Sequence, residues 1–165
     1  MSRQRLVTWD DPTPFWHRAE GKSGLELLQR AVDGEFPPPP MAMLMDIRLI
    51  EVARGHAVFR GTPQEFHYNP LGTVHGGVLA TLLDTATGCA VHSTLPRGFG
   101  YTSIDLSTKF LKPVTVASGM LRCVGTVISK GRRTALAEAR LTDAAGRLVA
   151  TAQSSCLIFE VPPNQ

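Results

Sequence analysis

The chain has 165 residues, of which 43% are hydrophobic and 19% are charged, and this composition predicts one globular domain and excludes a disordered protein. The net charge of +3 at pH 7 is too small to indicate nucleic-acid binding by itself, although a mild basic excess favours a site that receives phosphates. The sequence contains no apolar signal-peptide core and no apolar stretch of membrane length, so we expect a cytoplasmic protein without a membrane partner. Cys89, Cys123 and Cys156 show no CxxC spacing, so we expect buried thiols. A nucleic-acid partner is not expected.

Residues 1–40 are predicted to form an N-terminal extension of a main domain that spans residues 41–165. A short helix is expected after Ser23, because apolar residues follow at helical spacing and Glu26 stands three residues later, where it completes a capping box. The run Pro37–Pro40 cannot continue a helix, so a stiff, extended arm is expected there.

The main domain combines strand-like segments with one long helix. The glycine-rich stretch Gly72–Ser93 predicts a helix that is apolar nearly all round and therefore buried on most sides. One helix among antiparallel strands is an α+β pattern, in which a curved antiparallel sheet wraps around the central helix. Alternating and β-branched residues, separated by turn residues, predict six strands: Leu44–Val52, His56–Gly61, Tyr101–Phe110, Gly119–Ser129, Thr134–Thr142 and Leu148–Phe159.

Asp84 lies in the middle of this apolar helix. A buried carboxylate without a partner is costly, and the segment from Gly76 to Ser93 contains no basic residue except His92. Three explanations stay open: another element satisfies the carboxylate, as at a subunit interface; the carboxylate is exposed in a cleft; or it takes part in a reaction.

The start of the helix is a second candidate for chemistry. Gly76 and Gly77 allow another molecule to approach the backbone, and the first amides of a helix suit a developing oxyanion, although a tight turn with nothing bound would also use two glycines. Asp84 follows Gly76 by eight residues, roughly 12 Å along a helix axis. One carbonyl cannot contact both groups on one helix, so the spacing indicates a site shared between two subunits.

The turn Asn69–Gly77 has the sequence N-P-L-G-T-V-H-G-G, and further motifs surround it along residues 41–160: Leu82-Leu83-Asp84, Gly88, Thr102–Leu106, Phe110–Pro113, Gly131–Arg133, Glu138-Ala139 and Asp143–Gly146. In this order the motifs resemble the hotdog-fold acyl-CoA thioesterases of the PaaI-like group. The resemblance implies hydrolysis of acyl-CoA thioesters to free acid and coenzyme A. It also implies a hotdog fold whose subunits join their sheets, with a homodimer as the minimal active unit and a homotetramer as the expected assembly.

The resemblance implies that the active site lies between two subunits. Asp84 resembles a catalytic carboxylate, which acts either as general base or as nucleophile. The Gly76 amide resembles the donor to the thioester oxygen. The turn of one subunit and the helix acid of the other then form one site.

Three further side chains match catalytic positions of the family. Asn69 resembles a residue that holds the thioester or the water, with a purely turn-forming role as the alternative. His75 either contacts the thioester sulfur or braces the loop. Ser103 matches a hydroxyl that positions water, and Thr102 points to the opposite face of the strand, so only one of the two can serve.

Substrate binding is expected from residues around these groups. Gly77 lets the substrate approach the backbone, and Leu83 is a candidate for the acyl pocket. Lys130, Arg132 and Arg133 follow a strand in a turn that often meets the phosphates of coenzyme A in the family. The other candidates for the acyl pocket are Phe66, His67, Tyr68 and Leu82.

Two other functions stay open. Asn69-Pro70-Leu71 resembles the turn of a hotdog enoyl-CoA hydratase or dehydratase, although the expected histidine is displaced to His75. A non-catalytic acyl-CoA-binding protein is the third hypothesis. No two histidines have zinc-like spacing, so neither a metal nor a cofactor is expected, and the absence of G-x-S-x-G argues against a serine-nucleophile hydrolase.

Overall fold

The structure is a computed structural model that describes residues 2–12 and 21–161. The predicted extension, residues 1–40, therefore lies partly outside the described residues. The helices are α1 (Gly24–Val32), α2 (Pro40–Met45) and α3 (Gly76–His92). The strands are β1 (Ile47–Ala53), β2 (His56–Gly61), β3 (Phe99–Ser103), β4 (Ser107–Phe110), β5 (Leu121–Lys130), β6 (Thr134–Thr142) and β7 (Leu148–Glu160). In the described ranges, no helix combines the length and apolar character that crossing a membrane requires.

The strands form one antiparallel sheet that curls around α3. Its order is β1-β2-β5-β6-β7-β3, and β4 pairs with β7 beyond the end of β3. The inward residues of the strands and the apolar side chains of α3 make the main core, so the long helix is buried as predicted. The α+β architecture, with a curved antiparallel sheet around one central helix, is thus confirmed.

The helix approaches the sheet most closely at β5. A Cβ placed on Gly125 would lie 2.1 Å from the carbonyl oxygen of Ala86, so only glycine allows the backbone of α3 to rest on this strand. Leu82, Leu83 and Ala86 fill the space on either side of this contact. This contact fixes how closely α3 approaches the sheet. It thereby also fixes the position of Asp84, which lies two residues before Ala86 in the same helix.

The predicted strand Tyr101–Phe110 is wrong as one element, because it is divided into β3 and β4. Asp105 causes the division. Its carbonyl accepts a hydrogen bond from the Ser154 hydroxyl at 2.8 Å, and its side chain accepts one from the Ser155 amide at 2.9 Å. Between the two strands, the Ile104 amide still donates to the Ser155 carbonyl at 2.9 Å, and the bonds of Asp105 interrupt the regular ladder after it, which gives two short strands along one side of β7.

The start of the predicted strand Leu44–Val52 is also wrong. Pro40 stands in the first turn of α2, where its fixed φ favours a helix. The helix ends at Asp46, which has a left-handed conformation with φ 53°, and β1 begins at Ile47. The extended arm expected over Pro37–Pro40 therefore stops at Pro39, whose ψ is 154°.

The helix of the extension packs on the main domain. Ser23 and Glu26 form the predicted capping box, with both reciprocal hydrogen bonds present. Leu27 and Leu28 are buried, and the Gly24 amide donates to the Leu95 carbonyl at 3.1 Å. The extension is therefore held against the C-terminal end of α3.

Candidate active site

The turn before α3 is braced by its own asparagine. The Asn69 side-chain oxygen accepts hydrogen bonds from the amides of Leu71 and Thr73 at 2.9 and 3.3 Å, and its NH2 group donates to the Thr73 hydroxyl at 3.0 Å. The turn-forming role proposed for Asn69 is present in this geometry. Asn69 also lines the adjacent cleft, so contact with a thioester stays a prediction.

His75 caps the helix that follows. Its Nδ1 accepts the Gly77 amide at 2.9 Å, which satisfies one of the unpaired amides of the first helical turn. The bracing role considered for His75 is therefore present, and the Gly77 amide already has an acceptor. The Gly76 amide has none within the described part of the chain, and it carries the positive end of the helix dipole.

A cleft of about 340 Å³ opens beside Gly76. Phe110 at the end of β4 covers one side: a Cβ on Gly76 would lie 3.2 Å from its ring. Lys112 lines the cleft as well, and the sequence interpretation gave neither residue a role. The signal was present, because both belong to the motif Phe110–Pro113 that carried part of the resemblance.

Asp84 meets a hydroxyl from the sheet. The Ser103 hydroxyl donates to Asp84 Oδ1 at 2.9 Å, whereas Asp84 Oδ2 accepts no hydrogen bond from the residues described. Thr102 is exposed, and its hydroxyl bonds only weakly to the adjacent Ser103 carbonyl at 3.4 Å. The carboxylate is half-buried, so one oxygen is held by the protein and the other can receive a water.

Neutral side chains surround this carboxylate. Burial, followed by smaller effects that include the charge of Asp84, raises the pKa of the Cys89 thiol to about 12. Burial also raises the pKa of the Tyr101 phenol well above its usual range, and the charge of Asp84 adds to this effect. Both groups stay protonated at neutral pH, so they do not compete with Asp84 for a substrate proton.

Gly76 and Asp84 lie along the same open edge of the sheet. The strands β3 and β4 follow one another along β7, and within residues 2–12 and 21–161 no strand covers their outer side. Gly76 packs on Phe110, the last residue of β4, and Asp84 bonds to Ser103, the last residue of β3. The two residues are eight positions apart in the helix, which keeps them roughly 12 Å apart along the axis, so one subunit does not bring them together.

This edge also exposes apolar side chains. Ile104 is 59% exposed and Phe110 is 52% exposed, and Leu111 and Phe159 add to the apolar surface. An open strand edge with exposed apolar residues is a typical surface for pairing with another chain.

The remaining predicted contacts fall in two places. Lys130, Arg132 and Arg133, hereafter the basic turn, are exposed between β5 and β6. Leu157 of β7 pairs with Thr134, the residue after the basic turn, on one side and with Thr102 of β3 on the other. The basic turn therefore lies at the same end of the sheet as the part of β3 that contacts Asp84. Leu83 is fully buried in the core of this subunit, and its contact with substrate stays a prediction.

The chain is similar in sequence to proteins of a known family. A family model described as the thioesterase superfamily matches residues 71–150. Acyl-coenzyme A thioesterase 13 of Homo sapiens is 30% identical over 109 residues, which cover 66% of this chain and 76% of that protein.

Two solved structures have similar folds. A phenylacetic acid degradation-related protein from Ralstonia eutropha has a TM-score of 0.72 and 30% sequence identity, over 79% of this chain and 98% of its own. The E. coli PaaI protein of the phenylacetic acid degradation operon has a TM-score of 0.73 over 85% of this chain and 100% of its own, and at 21% identity it shows the fold alone.

Proposed function

This chain belongs to the PaaI-like hotdog thioesterases of the thioesterase superfamily and is a thioester hydrolase, and from this premise we propose that it hydrolyses acyl-CoA thioesters at a site shared by two subunits. One observation carries the proposal: Gly76 and Asp84 meet two separate positions of the same open edge of the sheet, Phe110 at the end of β4 and Ser103 at the end of β3. A two-fold axis that crosses the edge between Ser103 and Phe110 exchanges these two positions. The turn of each subunit then meets the acid of the other.

In this site the substrate carbonyl oxygen accepts a hydrogen bond from the Gly76 amide of one subunit. The negative charge that develops on this oxygen is stabilised by the amide and by the helix dipole. Asp84 of the other subunit acts through Oδ2, while Ser103 holds Oδ1 in place. Asn69 and His75 keep the turn in the shape that presents the Gly76 amide.

The reaction proceeds in two steps. Asp84 takes a proton from a water, whose oxygen bonds to the carbonyl carbon and forms a tetrahedral intermediate. The carbon–sulfur bond then breaks, the free acid forms, and the thiolate of coenzyme A takes the proton back from Asp84. The alternative is direct attack by the carboxylate to form an anhydride, which water then cleaves.

The assembly and the rest of the substrate follow from the same arrangement. We place the basic turn at the phosphates of coenzyme A, because it lies on the Asp84 side of the molecule. The homodimer is the minimal active unit, and two dimers form a homotetramer. Three free cysteines support a reducing, cytoplasmic location.

Asp84→Asn is the first test. This substitution keeps the shape of the side chain and removes the base, so we expect at least a hundredfold lower kcat in a thiol-release assay with an acyl-CoA panel. Asp33→Asn, at an exposed acid after α1, is the matched control and should keep full activity. Full activity of Asp84→Asn would refute the mechanism, and hydration of an enoyl-CoA in place of hydrolysis would favour the hydratase hypothesis.

Mixed dimers test whether the site is shared. Asp84→Asn and Gly76→Val subunits are each expected to be inactive as homodimers, the second because its side chain collides with Phe110 and blocks the amide. Refolded together in equal amounts, they should recover about a quarter of wild-type activity, since half of the dimers are mixed and each has one intact site. No recovery in dimers confirmed by sedimentation would refute a shared site.

Isotope labelling separates the two roles of Asp84. A single turnover in water labelled with oxygen-18 places the label in the released acid if Asp84 is a general base. Label found in the Asp84 carboxylate by peptide mass spectrometry would establish the nucleophilic route instead.

A further inference from the structure

Lys112 is a cation beside the candidate active site to which the proposed mechanism gives no role. It follows β4 by two residues and lines the cleft beside Gly76, and none of the described residues that line this cleft is acidic. Lys112 is exposed and forms no ion pair with any residue in the ranges 2–12 and 21–161. A cation without a counter-charge at this place indicates an anionic group on the ligand.

The basic turn is a second group of cations without counter-charges. Its three side chains pair with no acid in the described part of the chain. Within one subunit the basic turn and Lys112 lie far apart, because the Arg133 carbonyl accepts the Ile158 amide, whereas the Lys112 amide donates to the Val149 carbonyl. Val149 and Ile158 are nine residues apart in β7, or roughly 30 Å in an extended strand. One subunit therefore does not bring these cations to the same part of a ligand.

In the proposed dimer, the two-fold axis exchanges the positions of Ser103 and Phe110 on the open edge. These two residues pair with Cys156 and Ala150 of β7. The axis therefore carries a group that lies beyond Ala150 in one subunit to the corresponding place beyond Cys156 in the partner. The register of β7 thereby relates positions in the two subunits.

This symmetry places Lys112 at the same end of the site as the partner's basic turn. The Lys112 amide bonds to Val149, one position outside the exchanged pairs, and the axis brings it level with Leu157, one position outside them in the partner. Leu157 pairs with Thr134, which directly follows the basic turn. Lys112 of one subunit and the basic turn of the other then face the same end of one substrate.

We propose that Lys112 of one subunit and the basic turn of the other form a single anion site for the phosphates of coenzyme A. This inference rests on the proposed thioesterase function and adds a substrate-binding residue to it. Lys112 comes from the subunit that supplies the Gly76 amide, and the basic turn comes from the subunit that supplies Asp84. A carboxylate on the acyl group is the other anion that a lysine in this cleft would bind, and substrates without phosphates distinguish the two.

Lys112→Gln is the test variant, because it removes the charge and keeps a long polar side chain. We expect KM for an acyl-CoA to rise about two- to fivefold, the range for one exposed and screened ion pair. The kcat should stay unchanged, because the phosphates are bound equally in the ground state and the transition state. Lys112→Arg keeps the charge and should keep a KM near that of the wild type. Lys109→Gln is the matched control, since Lys109 points to the opposite face of β4 from Phe110.

The choice of substrate identifies the anion. The matching N-acetylcysteamine thioester has no phosphates, so Lys112→Gln should leave its KM unchanged. An equal rise in KM for both thioesters, or a rise confined to acyl groups that end in a carboxylate, would overturn the proposal. An unchanged KM for acyl-CoA in Lys112→Gln would do the same.

Mixed dimers test which subunit supplies each cation. A dimer of Asp84→Asn and Gly76→Val subunits has one intact site, with Gly76 from the first subunit and Asp84 from the second. Lys112→Gln should therefore raise KM when it is added to the Asp84→Asn subunit and leave KM unchanged in the Gly76→Val subunit. Glutamine at the three positions of the basic turn should show the opposite dependence. A KM that follows the other subunit, or that rises equally in both placements, would overturn the pairing, whereas mixed dimers without activity would contradict the shared site itself.

Binding of coenzyme A keeps one test independent of catalysis. In titration calorimetry, the Kd for coenzyme A should be about two- to fivefold higher in Lys112→Gln than in the wild type, and the Kd for pantetheine, which has no phosphate, should be the same in both. Equal affinity of the two proteins for coenzyme A would overturn the role of Lys112. A protein that shows the expected difference but cleaves no acyl-CoA would instead contradict the proposed function and leave the anion site intact.

Discussion

The hydroxyl of Ser103 is the contact through which the sheet acts on the proposed base. It donates to Asp84 Oδ1 at 2.9 Å, across nineteen residues of sequence, and it joins β3 at the open edge to the middle of α3. Ser103→Ala removes this donor and leaves a side chain that the extended strand accepts.

The expected effect follows from the strength of this bond. A hydrogen bond to a charged group contributes about 1.5–3 kcal/mol, and each 1.4 kcal/mol corresponds to tenfold in rate. If the whole bond serves to orient Asp84 in the transition state, kcat falls by roughly 10- to 150-fold. KM should change little, because Ser103 acts through Asp84 and does not hold the substrate.

The assay is thiol release at saturating and at low acyl-CoA, with thermal unfolding measured on the same samples. Thr102→Ala is the control, because this neighbouring hydroxyl is exposed and makes no contact with Asp84 in the described part of the chain. We expect it to keep wild-type kcat. Wild-type kcat in Ser103→Ala, or an equal loss in Thr102→Ala, would show that the bond to Asp84 does not position a base.

Three further predictions concern the scaffold, coenzyme A and pH. Gly125→Ala should lower the melting temperature by several degrees in scanning calorimetry, because its Cβ would lie 2.1 Å from the Ala86 carbonyl oxygen and overpacking costs about 1–3 kcal/mol. Gly131→Ala is the control and should melt at the wild-type temperature, because its Cβ would lie 3.5 Å from the nearest atom. Equal melting temperatures of the two variants would contradict the close contact between β5 and α3. Replacing the three cations of the basic turn by glutamine should raise KM for an acyl-CoA several-fold but not for the matching N-acetylcysteamine thioester, which has no phosphates. An equal rise in KM for both substrates would show that the basic turn does not bind the phosphates. Burial lowers the pKa of His92 in the folded chain below its usual 6.5. As the pH falls, His92 is therefore protonated in the unfolded chain before it is protonated in the folded chain, and the free energy of unfolding should decrease below about pH 6.5. Urea unfolding at pH 7.5 and 5.5 measures this decrease, which should be smaller in His92→Gln; identical decreases would contradict the contribution of this group.

The long helix and the curved sheet could be predicted because each depends on a local pattern. Seventeen residues from Gly76 contain apolar side chains on nearly every face, and a helix of that kind needs a sheet around it. The capping box at Ser23 and Glu26 was predictable for the same reason, since both of its bonds form within one turn.

The errors have non-local causes. β3 and β4 form one run of strand-like residues in the sequence, and only the hydrogen bonds from Ser154 and Ser155 to Asp105 divide them. For Leu83 the motif predicts a contact with substrate, whereas its burial against the sheet depends on the packing of β5 against Ala86. A motif fixes the spacing of residues along a helix and leaves the rotation of that helix undetermined.

The distance between Gly76 and Asp84 could be predicted from the sequence, but its functional interpretation required the structure of the sheet. Eight helical residues exclude a site within one subunit, but they are equally compatible with two unrelated features. The division of the edge into β3 and β4 supports the proposed shared site, because Phe110 of β4 contacts Gly76 while Ser103 of β3 contacts Asp84. Both functional groups thereby contact one edge that no strand of the described residues covers, and in the proposed antiparallel pairing along that edge the turn of each subunit meets the acid of the other. In the proposed dimer, pairing of the subunits and assembly of the site are therefore the same event, and a variant that prevents the pairing should lose activity even with every catalytic residue in place.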